Sequence, residues 1–222
     1  MKRSLTIGAG LVAGFLLAGP ARAELRSDWS VNKATQGEWD GGYDIRSERR
    51  DGFAASISLG FGAAAGSGYP NEVAKIDDPD YETTTGLGFG SVNTIWVGGA
   101  LRDWFVFGLG IWGMSIRKDD YEGVGGGFMA RIETFPLWSL GGAFRDLSIY
   151  TNLGPGGFTI EGGPEKADGG LVSLVSLGTS YELFRLKYFA VGPALEGLYL
   201  YSQSAQSGGA FLGVKGTVYT AP

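Results

Sequence analysis

The chain has no cysteine and no histidine among its 222 residues. The first absence removes disulfides, thiolate nucleophiles and any lipid anchor carried on an amino-terminal cysteine. The second removes the base that ordinarily activates a serine nucleophile, leaving carboxylates, lysines and tyrosines for acid–base work. Charge is sparse at 18 %, and bases are the scarcer sign, 18 against 23 acids. Beyond Pro20 no apolar run is long enough for a membrane helix. If such a chain crosses a membrane, it does so as a closed barrel.

What is present begins with an export leader. Lys2 and Arg3 precede the apolar run Leu5 to Gly19, and Ala21-Arg22-Ala23 has the small-x-small form of a cleavage site. This predicts a Sec-type signal peptide over 1–23, cut near Ala23. Its removal takes three bases and no acid, so 18 − 3 = 15 bases face 23 acids and the mature chain carries −8. That balance argues against nucleic acid as a partner. Residues 24–51 are polar, hold Trp29 and Trp39, and end in Arg46-Ser47-Glu48-Arg49-Arg50-Asp51. They read as a periplasmic amino-terminal segment, either a disordered tail or a plug. Residues 52–222 read as one folded domain.

The stretch Val97 to Met114 shows how that domain is built. Phe105, Phe107, Leu109 and Ile111 share one parity; Val106, Gly108 and Gly110 share the other. Alternate side chains of a strand leave opposite faces, so one face is large and apolar and the other small. The turn Gly98-Gly99-Ala100-Leu101-Arg102-Asp103 recurs 43 residues later as Gly141-Gly142-Ala143-Phe144-Arg145-Asp146. A third short turn, Leu183 to Lys187, repeats the Phe-Arg pair at Phe184-Arg185.

Periodicity predicts eight strands. The first starts at Phe53. The second covers Thr84 to Val97 with a bulge near Gly90-Ser91, and the third follows the Gly98 turn. The others run from Gly126 to Phe135, from Leu147, from Leu171 to Glu182, from Phe189 to Tyr201 and from Gly209 to Tyr219. Long loops at 65–82, 117–125 and 154–170 and a short one at 202–208 alternate with the turns. The predicted fold is all-β, an eight-stranded antiparallel up-and-down transmembrane barrel. Trp96, Trp104, Trp138 and Tyr188, with Phe135, form one expected aromatic girdle. Tyr199 and Tyr201, with Phe158, form the other. A soluble lipocalin-like barrel is the competing arrangement, with the apolar face lining a cavity.

These features resemble the small eight-stranded outer-membrane β-barrels of Gram-negative bacteria, the OmpA-barrel and OmpW-like families, over Gly52 to Tyr219. The resemblance implies an outer-membrane location, with the amino terminus and short turns in the periplasm and the long loops outside. It implies lipid, lipopolysaccharide and the barrel-assembly machinery as partners. Such proteins commonly finish on an aromatic residue; here Tyr219 is followed by Thr220-Ala221-Pro222.

Gly108-Leu109-Gly110-Ile111-Trp112-Gly113 matches a dinucleotide-binding string. No helix is predicted to open after it, so its glycines are read as inward strand positions. Arg131, Glu133, Glu196 and Lys215 have inward parity and form a candidate lumen charge network. It would either plug the barrel or line a polar path. Residues 71–82 collect Glu72, Asp77, Asp78, Asp80 and Glu82, ligands of the type that bind divalent cations but without their spacing. No catalytic, cofactor or metal residues are assigned. The expected role is non-enzymatic, envelope-structural or surface-binding. The alternatives are a narrow path for small or apolar solutes and a secreted barrel carrying an apolar ligand.

Overall fold

The computed structural model describes residues 50–140, 142–163 and 165–221. The leader, and residues 24–49 of the tail or plug expected at 24–51, lie outside the described residues; Asp51 already belongs to the first strand. Eight long strands carry the fold: β1 Asp51–Gly68, β2 Gly88–Arg102, β3 Phe105–Lys118, β4 Tyr121–Thr134, β5 Leu147–Glu161, β6 Val172–Tyr181, β7 Phe189–Tyr201 and β8 Ala205–Ala221. Each pairs antiparallel with the next, and β8 returns to β1 from Asp51↔Ala221 to Gly68↔Ala205. The sheet is a closed eight-stranded antiparallel barrel, and closure removes the edges that an open sheet would leave unpaired.

Parity sorts the side chains. Ile57, Leu59 and Phe61 of β1 project outward and are about half exposed, whereas Ser56 and Ser58 face in. Leu109 is 68 % exposed on β3 and Leu177 65 % on β6, while Trp112, Met114 and Leu174 on the same strands are buried. The apolar wall therefore faces out and the charged residues of β4, β7 and β8 face in, the reverse of a lipocalin-like arrangement.

Several expected boundaries move. Strand β1 runs on to Gly68 because Ala63, Ala64 and Ala65 are small on both faces, which hides the alternation. The second strand starts at Gly88, and Thr83–Thr84 is a separate short piece paired with Ser67–Gly68. Register is continuous through Gly90 and Ser91, so no bulge lies there; the shift comes between Ala100 and Arg102. Outward Ser91 and Asn93 are polar while inward Val92 is apolar, and that exchange mimics a slip of parity in the sequence.

Gly98 and Gly99 belong to β2, paired with Gly108 and Phe107, and the turn itself is 103–104. The loop expected at 117–125 is a hairpin closed by Lys118↔Tyr121. Asp119 takes φ 52 there, a left-handed conformation that aspartate tolerates better than most residues. Strand β4 therefore begins at Tyr121 and ends at Thr134. Strand β5 continues to Glu161 despite Pro155, and β8 begins at Ala205.

Connections 103–104, 135–146 and 182–188 lie at one end, with both ends of the barrel sequence. Connections 69–87, 119–120, 162–171 and 202–204 lie at the other. We call these the turn end and the loop end. Two loop-end connections are tight and the turn-end connection 135–146 outlasts 162–171, so the expected contrast of long loops against short turns holds only for 69–87.

Candidate functional site

The lumen has three layers. The middle one holds the four candidate charges, all buried: Arg131 and Glu133 on β4, Glu196 on β7 and Lys215 on β8. Glu133 accepts from Arg131 Nε at 3.3 Å and from Lys215 Nζ. Glu196 accepts from Asn152 Nδ2 at 3.0 Å and from the Tyr150 hydroxyl at 3.3 Å. Asn152 also accepts from Arg131 Nη1 at 3.4 Å, and the Arg131 guanidinium lies 3.7 Å from the Tyr150 ring centre. Tyr150 and Asn152 of β5 thus join the two acid–base groups, and Ser176 and Ser180 of β6 extend the set. Two cations and two anions leave the layer neutral. A cavity of about 10 Å³, room for one water, adjoins Ser58, Tyr150 and Glu196.

Tyr150 stands directly across from Gly178 in the β5–β6 register. A Cβ at 178 would lie 2.2 Å from the Tyr150 ring, which Glu196 and Arg131 hold in place. Gly178→Ala is therefore expected to cost about 1–3 kcal/mol, as overpacking in a close-packed interior does. Urea unfolding of the refolded barrel measures this; an unchanged midpoint would show that Tyr150 moves freely.

The layer at the turn end was not anticipated from the sequence. Arg50, fully buried, enters from the segment preceding β1. It donates to Glu182 Oε2 at 2.7 Å, Asp146 Oδ1 at 2.9 Å and Asp103 Oδ1 at 3.4 Å, and to the carbonyl oxygens of Asp103 and Arg145. Its guanidinium stacks 3.5 Å above the Phe135 ring centre. Arg145 pairs with Asp103, Arg185 with Glu182 at 2.7 Å, and the Tyr219 hydroxyl donates to Glu182 at 2.7 Å. Burial alone would lower the Arg50 pKa, but Glu182 and the neighbouring acids hold it above the ordinary value. The available signal was the recurring turn: Asp103 and Asp146 occupy the same place in its two copies.

Toward the loop end the lumen is apolar, filled by Trp112, Met114, Ile116, Phe158, Ile160 and Leu200. Connections 69–87 and 162–171 close over it. Asp168 N donates to Tyr69 O at 3.0 Å, Thr83 Oγ1 to Glu165 O at 2.9 Å, and Lys75 Nζ to Glu165 Oε2 at 2.8 Å. That last bond raises the Lys75 pKa. In the acidic stretch 71–82, Glu72 bonds Lys75, and Asp78 caps the short helical turn at Asp80 N. Among the described residues no group of three or more acidic side chains is arranged to hold a metal ion.

Of the expected girdle, Trp104, Trp138, Tyr188, Tyr199 and Tyr201 are 41–48 % exposed. Trp96 is corrected: it is 2 % exposed and inside, since its outward neighbours are Ile95 and Val97. Gly108 makes room for it, because a Cβ there would stand 2.6 Å from the indole. Phe135 and Phe158 are likewise internal. The dinucleotide-like string lies wholly within β3 and no helix follows it. Gly108 and Gly110 have inward parity, but Gly113 shares the outward parity of Leu109 and Ile111 and lies under exposed Asn93, so it is not an inward position. Among the described residues two buried donors lack a partner, Trp112 Nε1 and Arg131 Nη2.

No family model matches the chain, and no curated protein does. Among solved structures it is similar to Ail, the attachment invasion locus protein of Yersinia pestis, with TM-score 0.44 and 14 % identity over 74 % of this chain and 97 % of that one. It is also similar to Neisserial surface protein A, with TM-score 0.42 and 13 % identity over 73 % and 95 % of the two chains. The outer membrane protein OprG of Pseudomonas aeruginosa gives TM-score 0.42 and 12 % identity over 78 % and 100 %.

Proposed function

We propose that the chain is a bacterial outer-membrane barrel with a closed lumen and a non-enzymatic role, envelope-structural or surface-binding. The observation that carries this reading is the inversion of the wall: apolar side chains ring the outside while four charges sit inside. Water would penalise such an outer surface and hydrocarbon accepts it. The filled lumen supports a closed state, with balanced ion pairs at the turn end and in the middle and apolar side chains toward the loop end. Neither carboxylate of the middle layer is free to act as a base, since Glu133 is held by two cations and Glu196 by Asn152 and Tyr150. Lipid, lipopolysaccharide and the assembly machinery are the partners this reading implies.

Reconstitution into planar bilayers tests it. The expected result is stable insertion with heat-modifiable gel mobility and no discrete conductance steps. Recovery as a water-soluble periplasmic protein would overturn the membrane placement. Conductance abolished by Arg131→Ala or Glu133→Ala would overturn the closed lumen.

A second reading, a narrow path for small or apolar solutes, is favoured by one place in the wall. Pairing between β4 and β5 lapses from Gly127↔Gly156 to Ala130↔Leu153, where Pro155 has no N–H to donate. Glycines flank the lapse, and behind it lies Trp112 with its unpartnered indole N–H.

A further inference from the structure

A polar patch interrupts the apolar outer wall on β2 and β3. Asn93 is exposed there, and its carboxamide lies over Gly113, its register partner. Its Oδ1 and Nδ2 stand 3.1 and 3.2 Å from the place a Cβ at 113 would take. One row nearer the loop end, Ser91 and Ser115 are also register partners and hydrogen bond at 2.8 Å. Apolar side chains bracket the patch along the strand. Phe89, stacked on Phe61 at 6.0 Å, lies beyond Ser91, and Ile95 and Val97 follow Asn93. On β3 the exposed Arg117, paired with Glu122 at 2.9 Å, stands one row beyond Ser115 and marks the loop-end rim, so the serines lie next to that rim and Asn93 two rows inside it. The two serines satisfy each other, whereas among the described residues no hydrogen bond reaches the Asn93 carboxamide.

Given the membrane reading above, on which this rests, that carboxamide meets hydrocarbon, which supplies neither donor nor acceptor. We propose that a second copy of the chain docks on this wall, about a two-fold axis passing between the two Asn93 side chains. Each carboxamide then donates an N–H to the other's carbonyl oxygen. A carboxamide carries both a donor and an acceptor, so it is complementary to itself, which an isologous contact requires. Inside a membrane, association rests on such bonds and on close packing, because lipid gives apolar surfaces no reason to leave it. The wall allows the approach: Gly113 and its β4 partner Gly126 leave it low beside Asn93. Leu59, Ile111 and Phe128 stand around that hollow as its apolar rim.

Because the chain has no cysteine, single cysteines report the contact cleanly. Ser91→Cys in liposomes at low protein-to-lipid ratio, treated with a short bis-maleimide, is expected to run mainly as a covalent dimer. Leu177→Cys, on β6 across the barrel, is expected to remain monomeric. Adding Asn93→Leu to the Ser91→Cys chain should lower the association constant roughly tenfold, the loss of two symmetric intramembrane hydrogen bonds. Equal cross-linking at 91 and 177, or no response to Asn93→Leu, overturns the proposal. So does a monomer in vesicles where the barrel is inserted and heat-modifiable, whether or not it retains lipopolysaccharide. Failure to insert at all overturns the membrane reading first, and is told apart by that gel mobility.

Discussion

Arg50→Ala is expected to destabilise the barrel by about 3–5 kcal/mol, the usual cost of removing one partner from a buried ion pair. The magnitude follows from what is left behind. Asp103, Asp146 and Glu182 come from three separate connections and converge on one guanidinium that is fully buried. Without it, Arg145 and Arg185 must balance three carboxylates crowded against the Phe135 ring and the Tyr219 hydroxyl. Arg50→Lys should recover only part of the loss. An ammonium is a point charge and cannot reproduce the planar fork that reaches three side-chain carboxylates and two carbonyl oxygens. Arg145→Ala should cost less, because Arg145 is partly exposed and pairs mainly with Asp103. Urea titration of the refolded barrel, scored by heat-modifiable mobility, ranks the three variants. If Arg50→Ala unfolds within 1 kcal/mol of the parent, the knot at the turn end holds nothing together.

The knot also shows where sequence reasoning stops. Parity read along β3 and β4 places Leu109 outside and Arg131 inside, because alternation is a local property of an extended chain. Closure in eight strands follows from counting such runs. Which inward residues meet is a different matter. Arg131 is two residues from Glu133 on one face of β4, so alternation alone brings them together, whereas Lys215 of β8 reaches Glu133 only because the barrel closes.

Arg50 is visible only as one member of the charged run Arg46 to Asp51, and nothing local marks it as the ligand of three turns. Trp96 was misplaced for the opposite reason. Its aromatic character suited an interface girdle, while its parity, shared with Thr94 and Gly98, put it inside. Parity wins, since turning one strand residue outward would turn its neighbours inward. The extent of β1 and β5 was lost where alanine, glycine and proline make both faces alike.

A double-mutant cycle on Glu133 and Lys215 is expected to show that the middle of the lumen depends on neutrality more than on any one charge. Glu133→Gln leaves Arg131 and Lys215 against Glu196 alone, an excess cation in a site with almost no exposure. Lys215→Met leaves the converse excess. Each single change should cost about 3–5 kcal/mol, since an uncompensated buried charge remains. The double variant restores one cation and one anion, Arg131 and Glu196, both already bonded to Asn152. It should therefore be more stable than either single variant, with a coupling energy of about 3 kcal/mol, at the top of the range for contacting residues. Additive losses would mean that water already reaches Glu133 and screens the pair. The same result would favour a hydrated path through the lumen, so the cycle bears on function as directly as it does on stability.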